Sequence, residues 1–191
     1  MASAEQGPSA SPHGSVSRRI FIVQSLIVLG TFITLCVRAQ DPPLSQTALS
    51  RLATVASLTE DGTWYIDRPP GDPANRFEVF TIDKVQVNGR LISSKPPLLP
   101  WIMTLEYRLL RAATGWSLDN SADTKRVLFA FTLTFCVLPW TLALIAGSAL
   151  LNRWIPHDSG RVMGLIALAV GTQAFGFASV FNNHVPAAAA L

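Results

Sequence analysis

Between Val127 and Leu151 the chain runs 25 residues without a single charge. A helix of that length reaches about 38 Å, more than the ~30 Å hydrocarbon core of a bilayer. Two more blocks of this kind accompany it: Ile20–Val37, with 18 uncharged residues, and Val162–Phe181, with 20. Helices on the surface of a soluble core carry one apolar face; helices apolar all round belong in lipid. Apolar residues make up 49% of the chain and charged ones only 14%, so composition agrees. The expected fold class is an all-α polytopic membrane protein with three transmembrane helices, at 20–37, 127–151 and 162–181. A net charge of +3, scattered rather than striped, leaves no electrostatic footprint for nucleic acid, and no nucleic-acid partner is expected. Cys36 and Cys136 sit inside apolar blocks and read as small buried hydrophobes. No metal-type Cys/His spacing occurs, so neither metal nor cofactor is expected.

Charge sets the topology. Residues 1–19 are rich in Ser, Pro, Gly and Ala, which predicts a disordered cytoplasmic tail ending in Arg18 and Arg19. Ser17-Arg18-Arg19-Ile20-Phe21 also resembles a twin-arginine export signal, with Val37-Arg38-Ala39 as a possible cleavage site. The length of the 20–37 block and the spans after it favour a retained helix instead. Leu98–Ala113 decides the number of crossings. Its 16 residues reach about 24 Å and include Glu106, Arg108 and Arg111, which favours an interfacial helix. Trp101, Leu105 and Leu109 mark its apolar stripe, and Tyr107 suits headgroup depth. Three spans then leave 152–161, with Arg153 and Arg161, cytoplasmic; residues 38–126 and 182–191 fall outside. Four spans would reverse that loop. The expected location is the cell inner (plasma) membrane, multi-pass, with membrane lipid as a partner. The apolar ending suggests truncation.

The polar segment 38–126 has its own organisation. Asp41-Pro42-Pro43 predicts a helix start with Asp41 as N-cap, and helical spacing of Leu44, Ala48, Leu52 and Val55 carries an interfacial helix over 44–60. Asp61-Gly62 stops it. Thr63–Asp67 reads as a short strand, and the prolines from Pro69 to Pro73 as loop. Residues 80–94 then read as a β-hairpin: branched and polar residues alternate up to Val87, and Asn88-Gly89 is the dipeptide of a type I′ turn. Lys95-Pro96-Pro97 leads directly into the helix 98–113. Proline is tolerated in a first helical turn, and Lys95 is thereby held where a cation and free backbone N–H groups can meet an anion together. In the 162–181 block, Ala167/Gly171 and Ala174/Ala178 are small pairs suited to close helix packing. Pro139 predicts a kink in the 127–151 span.

These residues resemble a known family. IDKV at 82–85, G-x-x-x-S-S-K-P-P-L from Gly89 to Leu98, and the upstream RLATVASLTEDGTWYID are similar to the first-loop region of bacterial GT-C glycosyltransferases. The likeness is to the branch that includes aminoarabinose and protein mannosyltransferases, and covers roughly residues 44–186. It implies a cell-envelope enzyme that moves a sugar from a polyprenyl-phosphate donor to an acceptor hydroxyl, and a chain here that is the front of a longer one. Such chemistry needs a carboxylate to take the acceptor proton and cations to hold the departing phosphate. Lys95 matches the family's Lys-Pro-Pro lysine and takes the phosphate role; an interfacial anchor is the alternative.

Lys84 and His184 are further substrate-binding candidates, His184 with Asn182 and Asn183 beside it. Asp83 and Lys84 could equally form a surface ion pair. The family's catalytic Asp lies three residues before an Arg-x-Ala arginine. Arg51 takes that arginine's place, and position 48 is alanine. Asp41 and Asp83 are the candidate acids, Glu60, Asp61 and Asp67 stay open without a match to the family, and the catalytic residue is unassigned. Two other functions stay open: a non-catalytic lipid-phosphate binder on the same scaffold, and a structural membrane protein.

Overall fold

The first long helix is turned inside out by the standards of a soluble protein. In the computed structural model, which describes residues 17–41, 43–182 and 184–189, α1 (Arg18–Arg38) exposes Phe21, Leu26, Leu29, Ile33 and Val37. It buries Gln24 and Thr31 instead. A backbone in lipid must satisfy its polar groups internally, and polar side chains do the same. Gln24 and Asn152 exchange two amide hydrogen bonds of 3.0 Å each, and the Thr31 hydroxyl donates to Ile27 O at 2.8 Å. Arg18 and Arg19, expected at the end of a tail over 1–19, are already helical, with Ser17 accepting from Ile20 N. The rest of that tail, together with Pro42, Asn183 and the last two residues, lies outside the described residues.

The second long helix is one 34-residue rod from Ser121 to Trp154, built of α4 (Ser121–Thr132), a π-helical turn (Leu133–Val137) and α5 (Leu138–Trp154). Asn120 caps it, its side chain accepting from Ala122 N at 2.9 Å, and Asp123 favours the positive end of the helix dipole. The kink expected at Pro139 takes the form of this π turn just upstream. Proline offers no N–H and its ring crowds the carbonyl four residues back. The chain widens ahead of it, and Leu138 N reaches back five residues to Leu133 O. Both this rod and α1 are long and apolar enough to cross a membrane. They run antiparallel, since Gln24 meets Asn152 at one end and Asp41 pairs with Lys125 at the other.

The third span expected over 162–181 is not formed. α6 (Asp158–Val170) stops after 13 residues, about 20 Å. Thr172 is extended, and α7 (Gln173–Ala178) restarts for six residues. The Gly171-Thr172 step is the cause: glycine weakens the helix, and the Thr172 hydroxyl bonds Leu168 O at 3.2 Å. Ala167 and Gly171, expected at a helix contact, are exposed. Close packing uses other glycines. A Cβ on Gly147 would lie 2.6 Å from Leu168, and one on Gly164 2.8 Å from Leu151, so α5 and α6 interlock through both. Arg161 pins the turn between them through Ile155 O at 2.7 Å and Asp158 at 3.1 Å.

The polar segment folds around α2 (Gln46–Glu60), whose every residue from Ala48 to Leu58 is buried. The expected helix 44–60 is thus present, but it is enclosed rather than lying with a free face at an interface. Small residues on all sides (Ala48, Ser50, Ala53, Ala56, Ser57) let its neighbours close in. Its N-cap is Ser45, which accepts from Ala48 N at 3.1 Å, and not Asp41. Its C-terminal carbonyls meet Arg108, which donates to Leu58 O at 2.7 Å. β1 (Lys84–Val87) and β2 (Arg90–Ser93) pair antiparallel across Asn88 and Gly89, at φ of 52° and 79°, the type I′ turn expected. The strand expected over Thr63–Asp67 is reduced to an isolated bridge, Tyr65 with Ile92. α3 (Leu98–Thr114) packs Met103, Thr104 and Tyr107 inward and leaves Leu98, Trp101, Leu105 and Leu109 exposed. Tyr107 is not at a surface: it is fully buried, its hydroxyl accepting from Leu118 N at 2.8 Å. α8 (His184–Ala189) closes the described chain.

Candidate functional site

At the end of the long helices where Asp41 and Lys125 meet, a cleft of about 450 Å³ opens between α2, the Lys95–Pro96 link and the segment joining α7 to α8. Three local structures make it. Ser45, Thr47 and Arg51 come from the first turns of α2, Thr47 and Arg51 one turn apart and so on one face. Lys95 is placed by the hairpin: its backbone N–H donates to Ser93 Oγ at 3.2 Å, and Ser93 Oγ lies 2.6 Å from Ser50 Oγ on α2. The third wall is Phe177, Phe181, Asn182 and His184. Asn182 organises it, donating to Phe177 O and Val180 O at 2.6 Å each and accepting from His184 N at 2.8 Å. The π turn supports this wall from behind, because it brings the Cys136 thiol within 3.5 Å of Val180 O.

Arg51 dominates the electrostatics. It is 2% exposed, yet Nε and Nη1 have no hydrogen-bond partner among the described residues. Burial lowers its guanidinium pKa, and the nearby Asp83 charge opposes that shift. The guanidinium also stands 5.8 Å from the Phe181 ring, a modest cation–π contact. A buried cation left without an anion is costly. Arg51 also lines the cleft of about 450 Å³.

Lys95 lies in the same wall, its ammonium 2.8 Å from an Asp83 oxygen that also accepts from Thr47 at 3.0 Å. An ammonium has three donors, so this pair leaves capacity for a further anion. Hydrogen bonding to Lys95 holds the Asp83 carboxyl below the usual carboxylate range, which makes it a poor proton acceptor. Ser50 and Thr47 thereby lock Asp83 and Lys95 to α2, the former through a 2.6 Å bond to Asp83 O. His184 lines the cleft with its ring 5.0 Å from Phe177.

The other expected site residues lie elsewhere. Lys84 bonds both the Glu78 carboxylate and Glu78 O, a structural pairing that does not line the cleft; it does not pair with Asp83. Asp41 pairs with Lys125 at 3.0 Å, both side chains well exposed. No carboxylate is among the residues lining the cleft, and no group of three His, Cys, Asp or Glu side chains among the described residues could hold a metal.

Arg51, a mere landmark in the sequence, is thus the residue the geometry brings forward. Its one local signal is an arginine on a helix of small and apolar residues. No family model, no curated protein and no solved structure matches the chain.

Proposed function

We propose that this is a membrane protein of GT-C-like design whose cleft holds the phosphate of a polyprenyl-phosphate lipid, in the service of sugar transfer from that lipid to an acceptor. The carrying observation is the buried Arg51 guanidinium, two of whose nitrogens have no partner among the described residues, sharing a cleft with Lys95 and His184. An anion there gains charge-assisted hydrogen bonds in a partly dehydrated place, where they are strong. Lys95 in its Lys-Pro-Pro setting is the residue on which the resemblance rests, and it lines the same space.

The reading puts the cleft on the extracytoplasmic side of the inner membrane and the N-terminus in the cytoplasm. The short connections at the far end carry Arg18, Arg19, Arg153 and Arg161, whereas a segment as long as 39–120 is exempt from the positive-inside rule. It also lays α3 in the interface, its exposed Leu98, Trp101, Leu105 and Leu109 toward lipid. Broken α6–α7 suits a site region, since interrupted helices in lipid occur where they line protein or a cavity.

One observation favours a second reading, a binder without catalysis. The acid nearest the cleft, Asp83, is committed to Lys95 and Thr47, and the lining group able to accept a proton is the His184 imidazole. Binding and transfer are separable by measuring both.

Polyprenyl-phosphate affinity in nanodiscs tests the phosphate role. Lys95→Ala should weaken it roughly ten- to a hundredfold, the value of about 1.5–3 kcal/mol in charge-assisted bonds. Lys95→Arg should be only partly tolerated, because a forked guanidinium does not replace a point ammonium. Equal affinity across wild type and both variants contradicts the proposal.

A further inference from the structure

Lys95 borders a second cavity. It measures about 370 Å³ and lies between the middle of α2, the return strand of the hairpin and the first turn of α3. Trp64, Ile92, Pro97 and Pro100 give it an apolar wall, while Ser93 and Lys95 add polar edges. Trp64 remains 43% exposed, so its indole is not spent on the core. Its backbone is nevertheless fixed by its neighbours: Tyr65 bridges to Ile92, and Ile66 N donates to Leu91 O at 2.8 Å. The result is an aromatic surface held in place beside a cation that already faces the anion cleft.

We infer that this cavity receives the glycosyl ring of the lipid-phosphate sugar, stacked on Trp64, while the phosphate sits between Lys95 and Arg51. The inference rests on the lipid-phosphate reading and adds where the sugar goes. A pyranose has an apolar C–H face and a hydroxyl rim, which suits an aromatic wall with a few polar groups at its edge. The volume is at the lower end of the roughly 300–1,000 Å³ of small-ligand pockets, a size for a ring rather than for a long chain. The polyprenyl chain is as apolar as lipid and gains nothing by leaving the bilayer for so short a pocket. Because Lys95 is common to both cavities, a ring and its phosphate can occupy them together, as the ester linkage between the two requires.

The test uses two probes in nanodiscs: a long-chain polyprenyl phosphate, and the same lipid carrying a hexosyl group. Trp64→Ala should weaken binding of the glycosylated lipid about two- to tenfold, the worth of one aromatic stacking contact. It should leave the unglycosylated lipid unchanged, and Trp64→Phe should retain most of the difference. Equal loss for both lipids would place chain rather than sugar on Trp64 and overturn the inference. No loss for either would overturn it as well. Failure of the wild type to bind either lipid is a separate outcome, seen before any substitution is made; it removes the lipid-phosphate reading and the sugar subsite with it.

Discussion

Arg51→Met should make this protein more stable and strongly weaken its binding of polyprenyl phosphate. The two effects share one cause. Nε and Nη1 of Arg51, a residue 2% exposed, lack partners among the described residues, so the fold carries the desolvation of a cation with the Asp83 charge and one face of Phe181 to offset it. Replacing a buried, poorly compensated charge with an apolar side chain of similar volume commonly gains about 1–4 kcal/mol. Apparent melting temperature in detergent should therefore rise by several degrees for a chain of this size. Affinity for the lipid phosphate should fall roughly thirtyfold or more, since truncating one side of a buried charge contact costs about 2–5 kcal/mol. Opposite signs are the mark of a residue kept for a ligand. A variant that melts lower and binds as before would make Arg51 a structural residue.

Asn75→Ala should have the largest effect on the fold itself. Asn75 is buried between the loop and α2. Its amide donates to Ala53 O and Ser57 Oγ, at 2.9 Å each, and its carbonyl oxygen accepts from Phe77 N at 3.1 Å. One side chain thus fastens the irregular stretch 68–81 to the enclosed helix. Truncation leaves Phe77 N and Ser57 Oγ short of partners away from water, and each such group costs about 1–3 kcal/mol. A loss of roughly 2–4 kcal/mol is expected, read as a lower melting temperature and faster proteolysis within 61–83. Asn75→Asp should be no better at neutral pH, because an acceptor would then face Ala53 O. A change under about 0.5 kcal/mol, the scale of an ordinary surface substitution, would contradict this account of the loop.

What could be foreseen from sequence follows the range of the forces involved. The hairpin was legible because Asn88-Gly89 sets its turn by local sterics alone, and both residues have the positive φ that the turn requires. α1 was legible because its block is uniformly apolar. The break in the 162–181 block was not, since apolarity passes over Gly171-Thr172 while backbone propensity does not. α2 misled for another reason: its apolar spacing suggested one buried face, yet its small residues admit neighbours on every side. The cleft depends on residues far apart in the chain. Arg51 shares a cleft with Lys95 and His184 because Ser50 grips the hairpin and Cys136, set by the π turn, supports Val180.

Recognition of a phosphate carried on a lipid is separated from binding of the lipid chain by comparing two lipids. Wild-type protein in nanodiscs would be titrated with a polyprenyl phosphate and with the polyprenol of identical chain length. The phosphate should bind saturably and more weakly as salt rises, and the alcohol should bind at least tenfold more weakly than the phosphate. Arg51→Met should remove most of that difference. Equal binding of phosphate and alcohol, or no binding of the phosphate, would contradict phosphate recognition by the cleft.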